Sequence, residues 1–188
     1  MDREFSRERW QKKLTVNLST VTEPYQPADK ELQVTRRVLE VFLKHHNALM
    51  LTTKSDLVLR DIEMLSEIAR TGFLNVVLTL PTIDEGLREA MEPRAPSVEK
   101  RLDAVSRLHD AGIAVGVAAI PLFPLISDSE GQRRACKSGG WGGRGLRHRR
   151  HVEFPRGSGA QVLGAPQGQL PDLVPRYKEL YATNYCDK

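Results

Sequence analysis

Short apolar runs alternate with segments of helical period from Leu14 to Ile120, and no other feature constrains the chain as much. Leu14 to Leu18, Leu49 to Thr53, Asn75 to Leu80 and Ile113 to Ile120 have strand length and strand composition. Leu32, Val38, Leu39, Val41 and Phe42 recur on one helical face that ends near His45. Arg60 to Arg70 carries Ile62, Leu65, Ile68 and Ala69 on a second face, with Gly72 at the C′ position. Ser97 caps a third helix bearing Leu102, Val105 and Leu108, which Gly112 stops. Strand and helix repeated in this way predict right-handed βαβ units and a parallel sheet covered by helices.

A barrel and an open doubly wound sheet both satisfy that pattern, and the loops separate them. In βα barrels chemistry collects on the loops that leave the C-terminal ends of the strands. Here those loops are Thr20 to Tyr25, Lys54 to Asp56, Pro81 to Asp84 and Pro121 to Pro124, each polar or proline-marked, whereas the opposite connections, Thr71-Gly72 and Ala111-Gly112, are short and plain. The expected fold class is α/β, a partial (β/α) barrel of parallel strands.

Composition changes abruptly after residue 130. Residues 1–130 hold 17 basic and 20 acidic side chains, whereas residues 131–188 hold 11 and 4, and 10 of the 14 glycines lie between Gly131 and Gly168. No apolar period survives there, so a core cannot form to offset the entropy of ordering it. The expected organisation is an N-terminal extension at 1–13, the partial barrel at 14–130, a disordered Gly/Arg-rich segment at 131–170, and an amphipathic C-terminal helix at 171–188. No apolar run approaches the ~20 residues of a membrane span, and the reading is a cytoplasmic protein. The two cysteines, Cys136 and Cys186, match neither a disulfide framework nor a paired-CxxC zinc site, so no metal ligand is assigned.

Several residue groups could carry chemistry. Lys54 and Ser55 could hold a carboxylate or phosphate through an ammonium and a hydroxyl, or could line a solvated loop. In Glu92-Pro93-Arg94-Ala95-Pro96-Ser97 the Arg94 fork is expected to pair with Glu92. His45-His46 at a helix C-terminus fits the helix dipole better than a metal, because adjacent helical residues do not face one another. The basic stretch from Arg144 to Arg156 could meet nucleic-acid phosphates, although no aromatic residue interleaves with its arginine cluster.

The runs Val16 to Lys30, which contains Thr-Glu-Pro-Tyr-Gln-Pro, Thr35-Arg36, Thr53-Lys54-Ser55, Arg60-Asp61, Met91 to Ser97 and Arg101-Leu102 resemble radical S-adenosylmethionine proteins of the spore photoproduct lyase-like, or DNA repair photolyase-like, group. The resemblance covers about Leu14 to Pro124. It implies a radical SAM barrel, S-adenosylmethionine and a 4Fe-4S cluster as cofactors, and DNA as a candidate substrate. It places Thr22 and Glu23 at the methionine amino group, Lys54 and Ser55 at the methionine carboxylate, and Glu92 and Arg94 on the same rim.

The departures from that family are equally informative. Its members carry a Cys-x3-Cys-x2-Cys loop after the first strand, and nothing before Leu14 contains a cysteine. The chain therefore reads as lacking that first strand, with the cluster not bound by this chain. The C-terminal break reads as a compensated frameshift over about Gly131 to Leu170. In the neighbouring frame Arg147-His148-Arg149-Arg150-His151-Val152 can encode Val-Ile-Val-Val-Thr-Leu, a buried strand. The expected product is an inactive fragment of a radical SAM enzyme. A nucleic-acid-binding module using 144–156, and a barrel enzyme taking a phosphorylated metabolite at Lys54 and Ser55, are the alternatives.

Overall fold

The computed structural model describes residues 1–8, 10, 14–19, 21–120 and Pro175. Thr20, the 131–170 segment, both cysteines, the basic stretch 144–156 and all of the C-terminal helix except Pro175 lie outside the described residues.

Four strands, β1 (Val16–Leu18), β2 (Leu49–Thr53), β3 (Leu74–Thr79) and β4 (Val115–Ala118), form one sheet. All its pairings are parallel, and its order is β1-β2-β3-β4. That order is the wall of a barrel, because a doubly wound sheet reverses direction at its switch point. The two faces agree with it. Register places Leu18, Leu51, Val76 and Val115 in one row. Leu51 and Val76 belong to a core shared with Leu39, Phe42, Leu65, Ile68, Val105 and Leu108 of the helices, and Leu18 and Val115 pack against it. The opposite face carries Asn17, Met50, Thr52, Val77 and Thr79, none of them fully buried, together with Asn75, which is buried. One helix-covered face and one half-buried, partly polar face are what an arc of a βα barrel presents.

The first two crossovers run through α2 (Asp29–Leu32) with α3 (Val34–His45), and through a 3-10 turn (Asp56–Asp61) with α4 (Ile62–Thr71). The third uses α5 (Glu85–Met91) and α6 (Val98–Asp110). Three sequence expectations need correction here. Leu32 does not share the apolar face of α3, because the helix breaks at Gln33, whose φ of 48° is left-handed, and Leu32 is left exposed. The break is fixed by Asp29, whose carboxylate accepts the Thr35 N–H at 2.9 Å and so caps α3 from outside it. Arg60 lies in the 3-10 turn and not in α4. Gly72 is extended (φ −160°), because the chain runs directly into β3 instead of turning.

Gly112 does act as a left-handed stop, with φ 76°. Its N–H donates to the His109 carbonyl and that of Ile113 to the Leu108 carbonyl, at 2.8 and 3.1 Å, which is a Schellman closure. α3 closes the same way with His46 at φ 50°, its N–H and that of Asn47 donating to Leu43 and Phe42. Sequence reading missed α5, a seven-residue helix with Gly86 inside it; the signal available was Asp84, whose carboxylate caps the Leu87 N–H at 2.8 Å.

The N-terminal residues also pack. Phe5 of α1 (Asp2–Phe5) is buried against Trp10, Phe42 and His45, with ring centroids 4.6, 5.3 and 5.8 Å away. Asp2 pairs with Lys44 and His45 at 3.0 and 2.7 Å, so the His45 ring is committed to a carboxylate. Among the described residues no helix is long and apolar enough to cross a membrane.

Candidate functional site

The C-terminal ends of β1, β2 and β3 are tied into one polar rim. Loop Ser19–Ala28 leaves β1 through Ser19 in the left-handed region (φ 79°), and the Ser19 hydroxyl donates to the Thr22 carbonyl. Glu23 then reaches across to β2. One carboxylate oxygen accepts the Tyr25 N–H at 3.0 Å and the Thr53 hydroxyl at 2.5 Å, and the other accepts the Lys54 N–H at 2.8 Å. Three donors on one carboxylate fix the loop to the strand end.

Behind the loop sits a buried ionic cage. Asp29 and Asp61, 5% and 0% exposed, flank Arg60, whose guanidinium donates to Asp29 Oδ2 and Asp61 Oδ2 at 2.8 Å and to the Asp29 carbonyl at 2.6 Å. Arg36 donates to the other Asp61 oxygen at 2.8 Å, and the Thr35 hydroxyl donates to the Pro24 carbonyl at 2.6 Å. Two arginines and two aspartates leave no net charge. Burial works to raise the Asp29 carboxyl, but the Thr35 N–H and Arg60 outweigh it and hold the group below its ordinary value. Burial first, and the neighbouring Asp61 carboxylate second, push the Tyr25 hydroxyl well above the usual phenol range.

The third part of the rim centres on Glu92. Its Oε1 lies 2.5 Å from the Lys54 ammonium, and its Oε2 accepts from Arg101 Nη2 at 2.7 Å. Arg101 is 1% exposed, with Nε donating to the Pro96 carbonyl at 3.0 Å and Nη1 to the Thr79 carbonyl at 2.9 Å. Burial works to raise the Glu92 carboxyl, yet the hydrogen bonds from Lys54 and Arg101 prevail and lower it. Arg88 anchors the same loop through the Glu92 and Ala95 carbonyls, at 3.3 and 3.2 Å.

Of the six residues singled out from sequence, the fold brings Glu23, Lys54, Ser55 and Glu92 together. Thr22 is exposed beside them. The Ser55 oxygen caps the 3-10 turn by accepting the Leu57 N–H at 3.2 Å, which leaves its proton available. The expected pairing of Arg94 with Glu92 is corrected: Arg94 is exposed, and Glu92 pairs instead with Lys54, which follows β2, and with Arg101, which is buried on α6 beside that loop. Arg101 was missed as a member of the site. Its signal was an arginine on the apolar face of α6, in line with Val98, Ala104, Val105 and Leu108, all buried.

A parallel barrel arc with polar side chains gathered at the C-terminal strand ends has the form of a βα barrel, the class of fold that carries its chemistry at that end. The match to known families is more specific: residues 3–133 fit the Radical SAM superfamily, and the chain belongs to it. Among similar curated proteins are the uncharacterized protein MJ0683 of Methanocaldococcus jannaschii, 34% identical over 115 residues, and ORF301 of Acidianus two-tailed virus, 34% identical over 116. Those matches cover 61% and 62% of this chain and 43% and 37% of the relatives. Rv2578c of Mycobacterium tuberculosis is 29% identical over 185 residues, covering 95% of this chain and 52% of that protein. The chain thus spans about half, or less, of the length of the curated relatives it matches. No solved structure matches it.

The superfamily uses S-adenosylmethionine and a 4Fe-4S cluster, and this chain's residues suit the two unequally. The cluster needs clustered thiolates, and the two cysteines stand 50 positions apart in sequence. Among the described residues no group of three or more His, Cys, Asp or Glu side chains is placed to hold a metal ion. The cluster therefore does not fit the residues of this chain. The amino acid end of S-adenosylmethionine is a zwitterion that needs an acceptor for its ammonium and a donor for its carboxylate, and a carboxylate, Glu23, and an ammonium, Lys54, are both present on the rim.

Proposed function

We propose that this chain forms the methionine-binding rim of a radical SAM protein and holds the α-amino acid end of S-adenosylmethionine. The observation that carries the reading is that Glu23 and Lys54 stand at adjacent strand ends, the Glu23 carboxylate accepting the Lys54 backbone N–H at 2.8 Å while the Lys54 ammonium lies on Glu92. In this reading Glu23, with Thr22 beside it, accepts from the ligand ammonium, while the Lys54 ammonium and the Ser55 hydroxyl donate to its carboxylate. Lys54 is 42% exposed, so donors beyond the one on Glu92 face outward. With a cluster, radical SAM proteins cleave the cofactor reductively to a 5′-deoxyadenosyl radical; what this chain's residues contribute is binding and orientation.

The finer reading, a spore photoproduct lyase-like protein acting on DNA, is supported by the Thr-Glu-Pro-Tyr-Gln-Pro and Glu-Pro-Arg-Ala-Pro-Ser runs. Both build the rim from within: Pro24 accepts from Thr35, and Pro96 from Arg101. They speak for a shared cofactor site more directly than for a shared substrate.

Equilibrium dialysis of the full chain against radiolabelled S-adenosylmethionine tests the proposal. Saturable binding, weaker by about tenfold or more in Lys54→Ala, is expected for loss of a charge-assisted hydrogen bond. No saturable binding, or equal binding by Lys54→Ala, would overturn it.

A further inference from the structure

Lys54 is the most exposed member of the rim's charged group, and the structure shows what holds it. The Arg101 guanidinium spends all three of its nitrogens on fixed acceptors: Pro96 O at 3.0 Å, Thr79 O at 2.9 Å and Glu92 Oε2 at 2.7 Å. Thr79 ends β3, so the carboxylate is referenced to the sheet and not merely to its own loop. The remaining oxygen of Glu92 meets Lys54 Nζ at 2.5 Å. Exposure rises along the chain of charges, from 1% for Arg101 to 12% for Glu92 and 42% for Lys54.

A flexible lysine at a strand end is a poor anion site, because ordering its four-carbon stem costs rotamer entropy at each binding event. A partner carboxylate removes that freedom beforehand, but alone it would also cancel the positive charge a ligand needs. Arg101 resolves the conflict: with two cations on one carboxylate the group keeps a net positive charge, and the cation at its exposed end is oriented. We infer that Arg101 and Glu92 are positioning residues that hold the Lys54 ammonium at the point where it meets the carboxylate of the ligand. This rests on the reading of the site given above and assigns a role to two residues that need not touch the ligand.

The test compares two ligands, S-adenosylmethionine and its decarboxylated analogue, in equilibrium dialysis with the full chain, Lys54→Ala, Glu92→Gln and Glu92→Asp. Glu92→Asp keeps the charge beside buried Arg101 while withdrawing the carboxylate from Lys54 by one methylene, so it serves if Glu92→Gln fails to fold. Site-resolved acylation of Lys54 by acetic anhydride, read by mass spectrometry without ligand, reports how firmly the ammonium is held. The expected result is S-adenosylmethionine binding weakened about tenfold in either Glu92 variant, unchanged binding of the decarboxylated analogue, and acylation of Lys54 several-fold faster than in the parent. Equal weakening for both ligands would mean a merely structural role and would overturn the inference. So would parent-like binding in the Glu92 variants while Lys54→Ala loses it, or unchanged acylation. Failure of the parent chain to bind S-adenosylmethionine, or no effect of Lys54→Ala, would instead bring down the site assignment, and the inference with it.

Discussion

Replacing Arg60 with methionine tests how the loop after β1 is held. The substitution keeps most of the side chain's length and removes four hydrogen bonds: Nε to Asp61 at 3.2 Å, Nη1 to the Asp29 carbonyl at 2.6 Å, and Nη2 to Asp29 and Asp61 at 2.8 Å each. It also changes a neutral cage of two arginines and two aspartates into one with an uncompensated negative charge, with Asp29 and Asp61 only 5% and 0% exposed. Breaking a buried pair by removing one partner costs about 3–5 kcal/mol, most of it from the charge left behind. Part of that is recovered here because Arg36 still reaches Asp61 and the Thr35 N–H still reaches Asp29. A loss of about 3 kcal/mol in urea unfolding near neutral pH is therefore expected.

The loss has a pH signature. Asp29 is held below its ordinary value of 3.8 in the folded protein, so its contribution is present above that value and disappears as pH falls through the folded one. Removing Arg60 removes part of the cause of that depression. The difference between parent and variant should thus be greatest near pH 7 and shrink below about pH 4. A loss under about 1 kcal/mol, or a difference that grows with acidity, would refute the account of the cage.

Backbone geometry gives further predictions, each read by thermal or urea unfolding. Gly112→Ala, at φ 76° with open space around a new Cβ, should lose about 1–2 kcal/mol from strain alone, whereas Gly72→Ala, extended and with its nearest contact at 3.7 Å, should change stability little. His46→Gly, relieving a non-glycine residue at φ 50°, should gain up to about 1 kcal/mol. Leu51→Ala, fully buried in β2 among the helices, should cost about 2–5 kcal/mol.

The sheet was legible because its strands and helices differ in hydrophobic period, and the barrel because polar and proline-marked loops recur at one end. Glu23, Lys54 and Ser55 stood out in the sequence as polar residues after strands, and Glu92 by its proline-flanked run, while the ligand roles expected of them came from the family resemblance. What periodicity could not show is where long side chains end. Glu92 lies two residues from Arg94 in sequence, yet its partners are Lys54 and Arg101, brought in by β2 and α6. The same limit hid the break at Gln33, since Leu32 continues the apolar spacing of α3 perfectly well and only the Asp29 to Thr35 hydrogen bond shows the chain turning there. The extended Gly72 escaped notice for a related reason: a glycine after a helix signals a left-handed stop only if the chain must turn before its next strand.

In the proposed function the rim of this radical SAM arc receives the amino acid end of S-adenosylmethionine. An amide-resolved nuclear magnetic resonance titration of the full chain with S-adenosylmethionine tests it most directly. Saturable shifts concentrated on Glu23, Tyr25, Thr53, Lys54 and Ser55 are expected, with the opposite end of the sheet around Gly72 and Gly112 unmoved. Shifts centred on that opposite end, or no saturable shift anywhere, would contradict it.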